Sequence, residues 1–219
     1  MAPSLIVFDL DGTLVDSLAD LHRALSLTLA DCGCGPLTQA QVRAMVGDGV
    51  EVLVARALDA TGCAVDRAVA LQRYLGHYIA DPTARTTVYP GVRPTLEALQ
   101  RQGAQLAILT NKLARSTQLV LEGLDLARYF ARVVSGDSLT FRKPDPRALL
   151  EVVAGFGVQP GQTLMVGDSE VDAATAQAAG VPFVLMTYGY HRIPPEQIAS
   201  VARFADFAAL GRFLGARAP

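Results

Sequence analysis

The stretch "LIVFDLDGTLVDS", Leu5 to Ser17, decides the fold. Its apolar run, Leu5 to Phe8, ends in two carboxylates, Asp9 and Asp11, followed at once by Gly12 and Thr13. Four uninterrupted apolar residues read as a strand buried on both faces, the habit of a parallel sheet. Two like charges at its end repel each other, and each resists losing water. Either they are held apart in solvent as an ordinary Asp-Gly turn, or something positive belongs between them.

Working outward, the same pattern recurs at Gln105–Leu109, Val133–Val134, Thr163–Val166 and Phe183–Met186. Amphipathic stretches lie between. "GVRPTLEALQRQG" sets Val92, Leu96 and Leu99 at helical spacing and stops at Gly103, and "RSTQLVLEGLDL" sets Leu119, Leu121 and Leu124 on one side. "DPRALLEVVAGFG" begins with Pro146 in its first turn and stops at Gly155 and Gly157, and "VDAATAQAAG" stops at Gly180. Strand–helix alternation predicts an α/β fold, a doubly wound parallel sheet of Rossmann-like type.

One interval breaks the alternation. "LADLHRALSLTLADCG", "TQAQVRAMVGDGVEVLVARALDATG" and "DRAVALQRYLGHYIADP" all read as helices with Gly or Pro stops. A second sheet element inside "GVEVLVARAL" is the less favoured alternative. The division predicted is a catalytic core of residues 1–16 and 87–219, with residues 17–86 inserted as a helical cap. The chain enters the cap near Val15-Asp16-Ser17 and leaves it near Asp81–Pro90.

Ligands of parallel sheets bind beyond the carboxyl ends of the strands. The first strand delivers Asp9 and Asp11 there, "LAILT" delivers Thr110 and Asn111, and "LMVG" delivers Asp168 with Ser169, Glu170 and Asp172 behind it. Lys143 follows the third strand in "FRKPDP", and "TYGY" after the fifth carries no charge. Singly, each is an ordinary turn, a helix start or a solvated lysine. Together, Asp9, Asp11, Asp168 and Asp172 demand a counter-ion. A divalent cation with oxygen ligands, Mg²⁺, answers the demand because it takes few carboxylates and pairs with phosphate.

"DLDGTLVDS", Thr110-Asn111, Lys143 and "GDSEVD" resemble, in order and placement, the four motifs of the haloacid dehalogenase-like hydrolase superfamily. Within it, "VRAMVGDGVEVLVARAL" is similar to the cap segment of bacterial phosphoglycolate phosphatases. The resemblance implies a phosphoric monoester hydrolase acting on a small phosphorylated metabolite, 2-phosphoglycolate first. It implies Asp9 as the nucleophile that forms an aspartyl-phosphate and Asp11 as general acid and base. Mg²⁺ would be held by Asp9, the Asp11 carbonyl and Asp168, with Asp172 bound directly or through water. Thr110, Asn111 and Lys143 would take the phosphoryl oxygens.

Gly47 and Gly49 flank Asp48 in a break between cap helices, either a specificity loop or a simple turn. Arg43, one turn earlier, is a candidate partner for a substrate carboxylate, although helical arginines are commonly solvated. Asp11 argues against carbon–halogen chemistry, and the absence of lysine between Ser17 and Thr86 argues against a cap Schiff base. A β-phosphoglucomutase-like mutase and a pyrophosphatase remain open. So does a non-enzymatic phospho-acceptor of the receiver type, although receivers are shorter and lack the insertion.

Composition narrows the class further. Of 219 residues, 51% are apolar and 18% charged, which is globular, and a net charge of -2 offers nothing to nucleic acid or anionic lipid. No run approaches the ~20 apolar residues of a membrane helix, and no signal peptide is legible. Cys32, Cys34 and Cys63 make a poor disulfide framework and are expected as reduced thiols. The expectation is a cytoplasmic monomer or homodimer. His22, His77 and His191 form no ligand pattern.

Overall fold

The structure, a computed structural model, describes residues 3–215. In chain order its elements are β1 (Leu5–Phe8), β2 (Val15–Asp16), α1 (Leu18–Asp31), α2 (Gln39–Arg43), α3 (Val50–Thr61), α4 (Arg67–Ala80), β3 (Thr87–Val88), α5 (Val92–Arg101) and β4 (Gln105–Leu109). They continue with α6 (Ala114–Gly123), β5 (Arg132–Val134), α7 (Pro146–Gly155), β6 (Thr163–Gly167), α8 (Glu170–Ala178), β7 (Phe183–Met186), β8 (Ala202–Phe204) and α9 (Phe207–Phe213).

Six strands form one parallel sheet in the order β5-β4-β1-β6-β7-β8. β1 sits centrally, in register with β4 (Leu5 beside Gln105) and with β6 (Leu5 beside Thr163). Because side chains alternate along a strand, Ile6 and Phe8 face one layer and Leu5 and Val7 the other. The first layer gathers Leu96 and Leu99 of α5, Val120 and Leu121 of α6, and Phe207 and Leu210 of α9. The second gathers Leu149 and Val152 of α7 and Ala173 and Ala176 of α8. Burial on both faces is why β1 carries no polar residue until its end.

Between β2 and β3 the chain is helical. Helices α1 to α4 enclose their own apolar cluster, including Leu25, Leu29, Val54, Leu58 and the stacked rings of Tyr74 and Tyr78. "GVEVLVARAL" is helix, α3. At the base, β2 and β3 pair antiparallel, Val15 with Val88 and Asp16 with Thr87. Asp20, fully buried, accepts from the backbone N–H groups of Arg85 and Thr86 at 2.9 and 2.8 Å and from the Thr86 hydroxyl at 2.7 Å.

The structure departs from the sequence reading in several places. The ribbon of β2 and β3 and the edge strand β8 are additional, and strands this short have no periodicity to detect. In α6 the buried face runs through Thr117, Val120 and Leu121, with Leu119 and Leu124 only partly covered. The cysteines are not all thiols. Cys34 and Cys63 form a disulfide and Cys32 is free. The pair spans 29 residues, with Cα atoms 5.6 Å apart, so the local Cys-Gly-Cys spacing was the wrong place to look. No helix among the described residues is long and apolar enough to cross a membrane.

Candidate active site

β1 ends with the Asp9 N–H still donating to Val166 O of β6 at 2.9 Å, which fixes Asp9 beside the end of β6. The next strand-end residue on β6 is Asp168. Its carboxylate accepts from the Thr13 hydroxyl at 2.8 Å and from the Tyr190 N–H at 2.5 Å. Two glycines make room for it. A Cβ on Gly12 would lie 2.4 Å from Asp168 Oδ2, and one on Gly189 would lie 2.2 Å from Asp168 Cβ. Gly12 also has φ of 86°, which a side chain would strain.

Asp172 stands one turn into α8, where Ser169 caps the helix. Asp172 Oδ2 accepts from the Ser169 hydroxyl at 2.6 Å, and Oδ1 lies 2.6 Å from Lys143 Nζ. Both oxygens are therefore engaged by protein donors. Lys143 also reaches Asp9 Oδ1 at 2.8 Å, so one ammonium bridges an acid at the end of β1 and one in α8. Burial opposes its charge, but Asp172 and Asp9 outweigh that and hold Lys143 above the ordinary lysine range. Burial pushes Asp9 up to about 7, with Lys143 pulling the other way and Asp172 adding to the rise. Asp168 is driven well above the usual carboxylate range by burial, then by Asp172 and Asp9.

Asp9, Asp168 and Asp172 each offer an oxygen within 4.8 Å of the others. Three carboxylates face one ammonium, and the buried excess of negative charge suits a divalent cation with oxygen ligands. The residues fit Mg²⁺ on that ground. The Asp11 carboxylate is not part of this cluster. It points to Lys112, whose Nζ lies 3.1 and 3.0 Å from its two oxygens.

A cavity over the strand ends is lined by Asp9, Asp11, Thr110, Asn111, Asp168, Gly47 and Gly49. Thr110 and Asn111 are buried, and the Asn111 amide donates to Gly47 O and to Lys143 O, both at 3.0 Å. One side chain thus joins the β4 end, the insertion loop and the lysine segment. The opposite wall is apolar, with Leu21, Val46, Val50, Leu53, Tyr74, Leu75 and Tyr78 from the insertion.

Arg43 is not where a substrate carboxylate would need it. Its guanidinium donates to the carbonyls of Tyr188 and Gly189 and lies 5.5 Å from the centre of the Tyr190 ring, and it does not line the cavity. Backbone acceptors facing α2 captured the longest cation of that helix. The histidines stay outside as well: His22 faces Leu37 O, His77 faces Asp31, and His191 faces Thr187 O and Ile193 O.

The sequence reading missed Lys112 and Tyr190, and gave no role to Thr13 and Ser169, which it had placed beside the acids. Lys112 had a signal: it directly follows Thr110-Asn111, and it and Lys143 are the only lysines in the chain. Tyr190 had none, since "TYGY" carries no charge. Its hydroxyl nonetheless donates to Asp16 at 2.7 Å and accepts from the Ser17 and Leu18 N–H groups at 2.8 and 3.0 Å.

Residues 6–186 match the family described as haloacid dehalogenase-like hydrolase. A curated relative named phosphoglycolate phosphatase from Rhodospirillum rubrum is 48% identical, covering 97% of this chain and 91% of its own length. Phosphoglycolate phosphatase 1 of Pseudomonas aeruginosa is 44% identical, covering 88% of this chain and 72% of its own length. A solved structure described as a predicted phosphoglycolate phosphatase from Haemophilus somnus superposes with a TM-score of 0.94 at 33% identity, covering 97% of this chain and 98% of that one. With its acids and Lys143 at the ends of β1, β6 and the β5–α7 segment, and with these likenesses running through core and insertion alike, the chain belongs to the haloacid dehalogenase-like hydrolase family.

Proposed function

We propose that the protein is a Mg²⁺-dependent phosphatase that hydrolyses 2-phosphoglycolate to glycolate and phosphate. The observation that carries this reading is the bridge from Lys143 to both Asp9 and Asp172, beside Asp168, under a cavity closed by an apolar wall. The names of the relatives supply the substrate class. Asp9 and Asp168 would hold Mg²⁺, with the Asp11 carbonyl, and Asp172 would add charge from behind while positioning Lys143. The ion supplies charge neutralisation of the phosphoryl group when bound.

An Asp9 oxygen attacks phosphorus, the phosphorus–alkoxide bond breaks, and Asp11 gives its proton to the departing oxygen. Asp11 then takes a proton from water as that water attacks the aspartyl-phosphate. The bond to Asp9 breaks and phosphate leaves. Lys143, Thr110 and the Asn111 backbone bind the phosphoryl oxygens, so most of the acceleration comes from positioning and charge. Residues 17–86 act as the cap, bringing Gly47 and Gly49 over the reacting group.

The test is a panel of phosphate esters ranked by kcat/KM with Mg²⁺ present. 2-Phosphoglycolate is expected to lead, with free phosphate released at every turnover. An isomerised hexose phosphate would indicate a mutase, faster pyrophosphate cleavage a pyrophosphatase, and a stoichiometric phospho-aspartate without turnover an acceptor domain.

A further inference from the structure

Lysine is scarce in this protein. Every cation other than Lys112 and Lys143 is arginine, and both lysines lie buried, Lys112 just past β4 and Lys143 in the β5–α7 segment. Lys143 is committed to the phosphoryl end by Asp9 and Asp172. Lys112 sits on the other side of the cavity. Its ammonium is paired with Asp11 and lies 4.5 Å from the centre of the Tyr78 ring, at the border between the acids and the apolar insertion wall. Among the described residues it is the one cationic side chain lining that cavity.

A 2-phosphoglycolate molecule carries a second anion two carbons from its ester oxygen. With the phosphoryl group at Asp9, that anion projects past Asp11 toward the insertion. A carboxylate buried against Leu75, Val50 and Tyr78 without a cation would be strongly disfavoured. Arg43 is tied to the carbonyls of Tyr188 and Gly189, and Arg142 pairs with Glu51 at 3.2 Å without lining the cavity. The Tyr78 ring holds the Lys112 ammonium by its π-face and leaves its third N–H free of any acid, since Asp11 accepts two.

We infer that Lys112 is the specificity-determining residue of this site, its ammonium receiving the substrate carboxylate at the leaving-group end. The inference rests on the phosphoglycolate reading and names the residue that would enforce it. Lys112 touches the part of the substrate that does not react, so its effect falls on the choice between esters.

The experiment compares kcat/KM for 2-phosphoglycolate with that for ethyl phosphate, which has the same length and no carboxylate. It uses wild-type protein, Lys112→Met, Lys112→Gln and Lys112→Arg. The wild type is expected to prefer the carboxylated ester. Lys112→Met and Lys112→Gln should each cut that preference by about 10²-fold, mainly through KM, and Lys112→Arg should keep much of it. The shorter Gln variant keeps a neutral N–H donor at this position, so the test stands if the Met variant does not fold. A wild-type preference that survives in Lys112→Gln would overturn the role of Lys112 and leave the substrate reading intact. A wild type with no preference would overturn the substrate reading and this one with it.

Discussion

Tyr190 and Asp168 are joined by a hydrogen bond of 2.5 Å from the backbone N–H of one to the carboxylate of the other. The same tyrosine's hydroxyl binds Asp16 and the N–H groups of Ser17 and Leu18, where the chain turns into the helical insertion. One residue therefore holds an acid of the site and the root of the insertion. Tyr190→Phe keeps the backbone bond and removes the hydroxyl, leaving the buried Ser17 N–H without that acceptor. A loss of about 1–3 kcal/mol is expected, or a fall in Tm of a few degrees in thermal unfolding at a fixed pH. An unchanged Tm would contradict it.

Lys143→Met should do more damage. It removes the ammonium that pairs the buried carboxylates Asp9 and Asp172, at a cost of about 3–5 kcal/mol. Turnover should fall by roughly 10² to 10³-fold because a phosphoryl-binding cation is lost. The stability deficit relative to wild type should shrink as pH falls and Asp9 takes up a proton. Chemical denaturation at pH 8 and pH 5 measures that difference, and equal deficits would refute the account.

Gly189→Ala tests the close packing around Asp168. Its new Cβ would overlap Asp168 Cβ at 2.2 Å, so the carboxylate must move. A displacement near 1 Å at a reacting centre costs about 10²-fold in rate. Gly76→Ala is the control, since its Cβ meets nothing within 4 Å at an exposed position of α4. It should keep the rate and add up to ~1 kcal/mol of stability.

Metal and pH should act against each other. In the metal-free protein Asp9 is held at about 7 and Asp168 well above the ordinary range. The unfolded chain loses those protons near pH ~4, so above that the folded state binds more protons than the unfolded state. Stability is then fully present below pH ~4 and declines as pH rises to about 7. On the proposed reading Mg²⁺ binds the ionised cluster, so the rise in Tm it brings should be larger at pH 8 than at pH 5. Scans in chelator and in Mg²⁺ across that range decide it, and a metal-free Tm independent of pH would contradict the argument.

What the sequence made legible followed burial and strand order. β1, β4, β6 and β7 announce themselves because parallel strands covered on both faces must be continuously apolar. The acids at their ends announce themselves because nothing apolar tolerates them without a counter-charge. The groups that hold Asp168 were hidden, because the Tyr190 N–H and the Thr13 hydroxyl each reach it by one hydrogen bond from a loop with no period. Arg43 went astray for the same reason: its acceptors are carbonyls 145 and 146 residues away. The Cys34–Cys63 bond was hidden because only the packing of α1 to α4 brings its ends together.

The ribbon of Val15 with Val88 and Asp16 with Thr87 makes the helical insertion a detour with its two ends already adjacent. Whatever lies between them, the closing entropy of the loop is set at those two residue pairs, and the strand order of the sheet does not depend on it. The helices could be lengthened, exchanged or cut back without moving Asp9 or Asp168 from their strand ends. The strand ends that carry the acids and the helices that face them are, by this joint, separable inheritances of one chain.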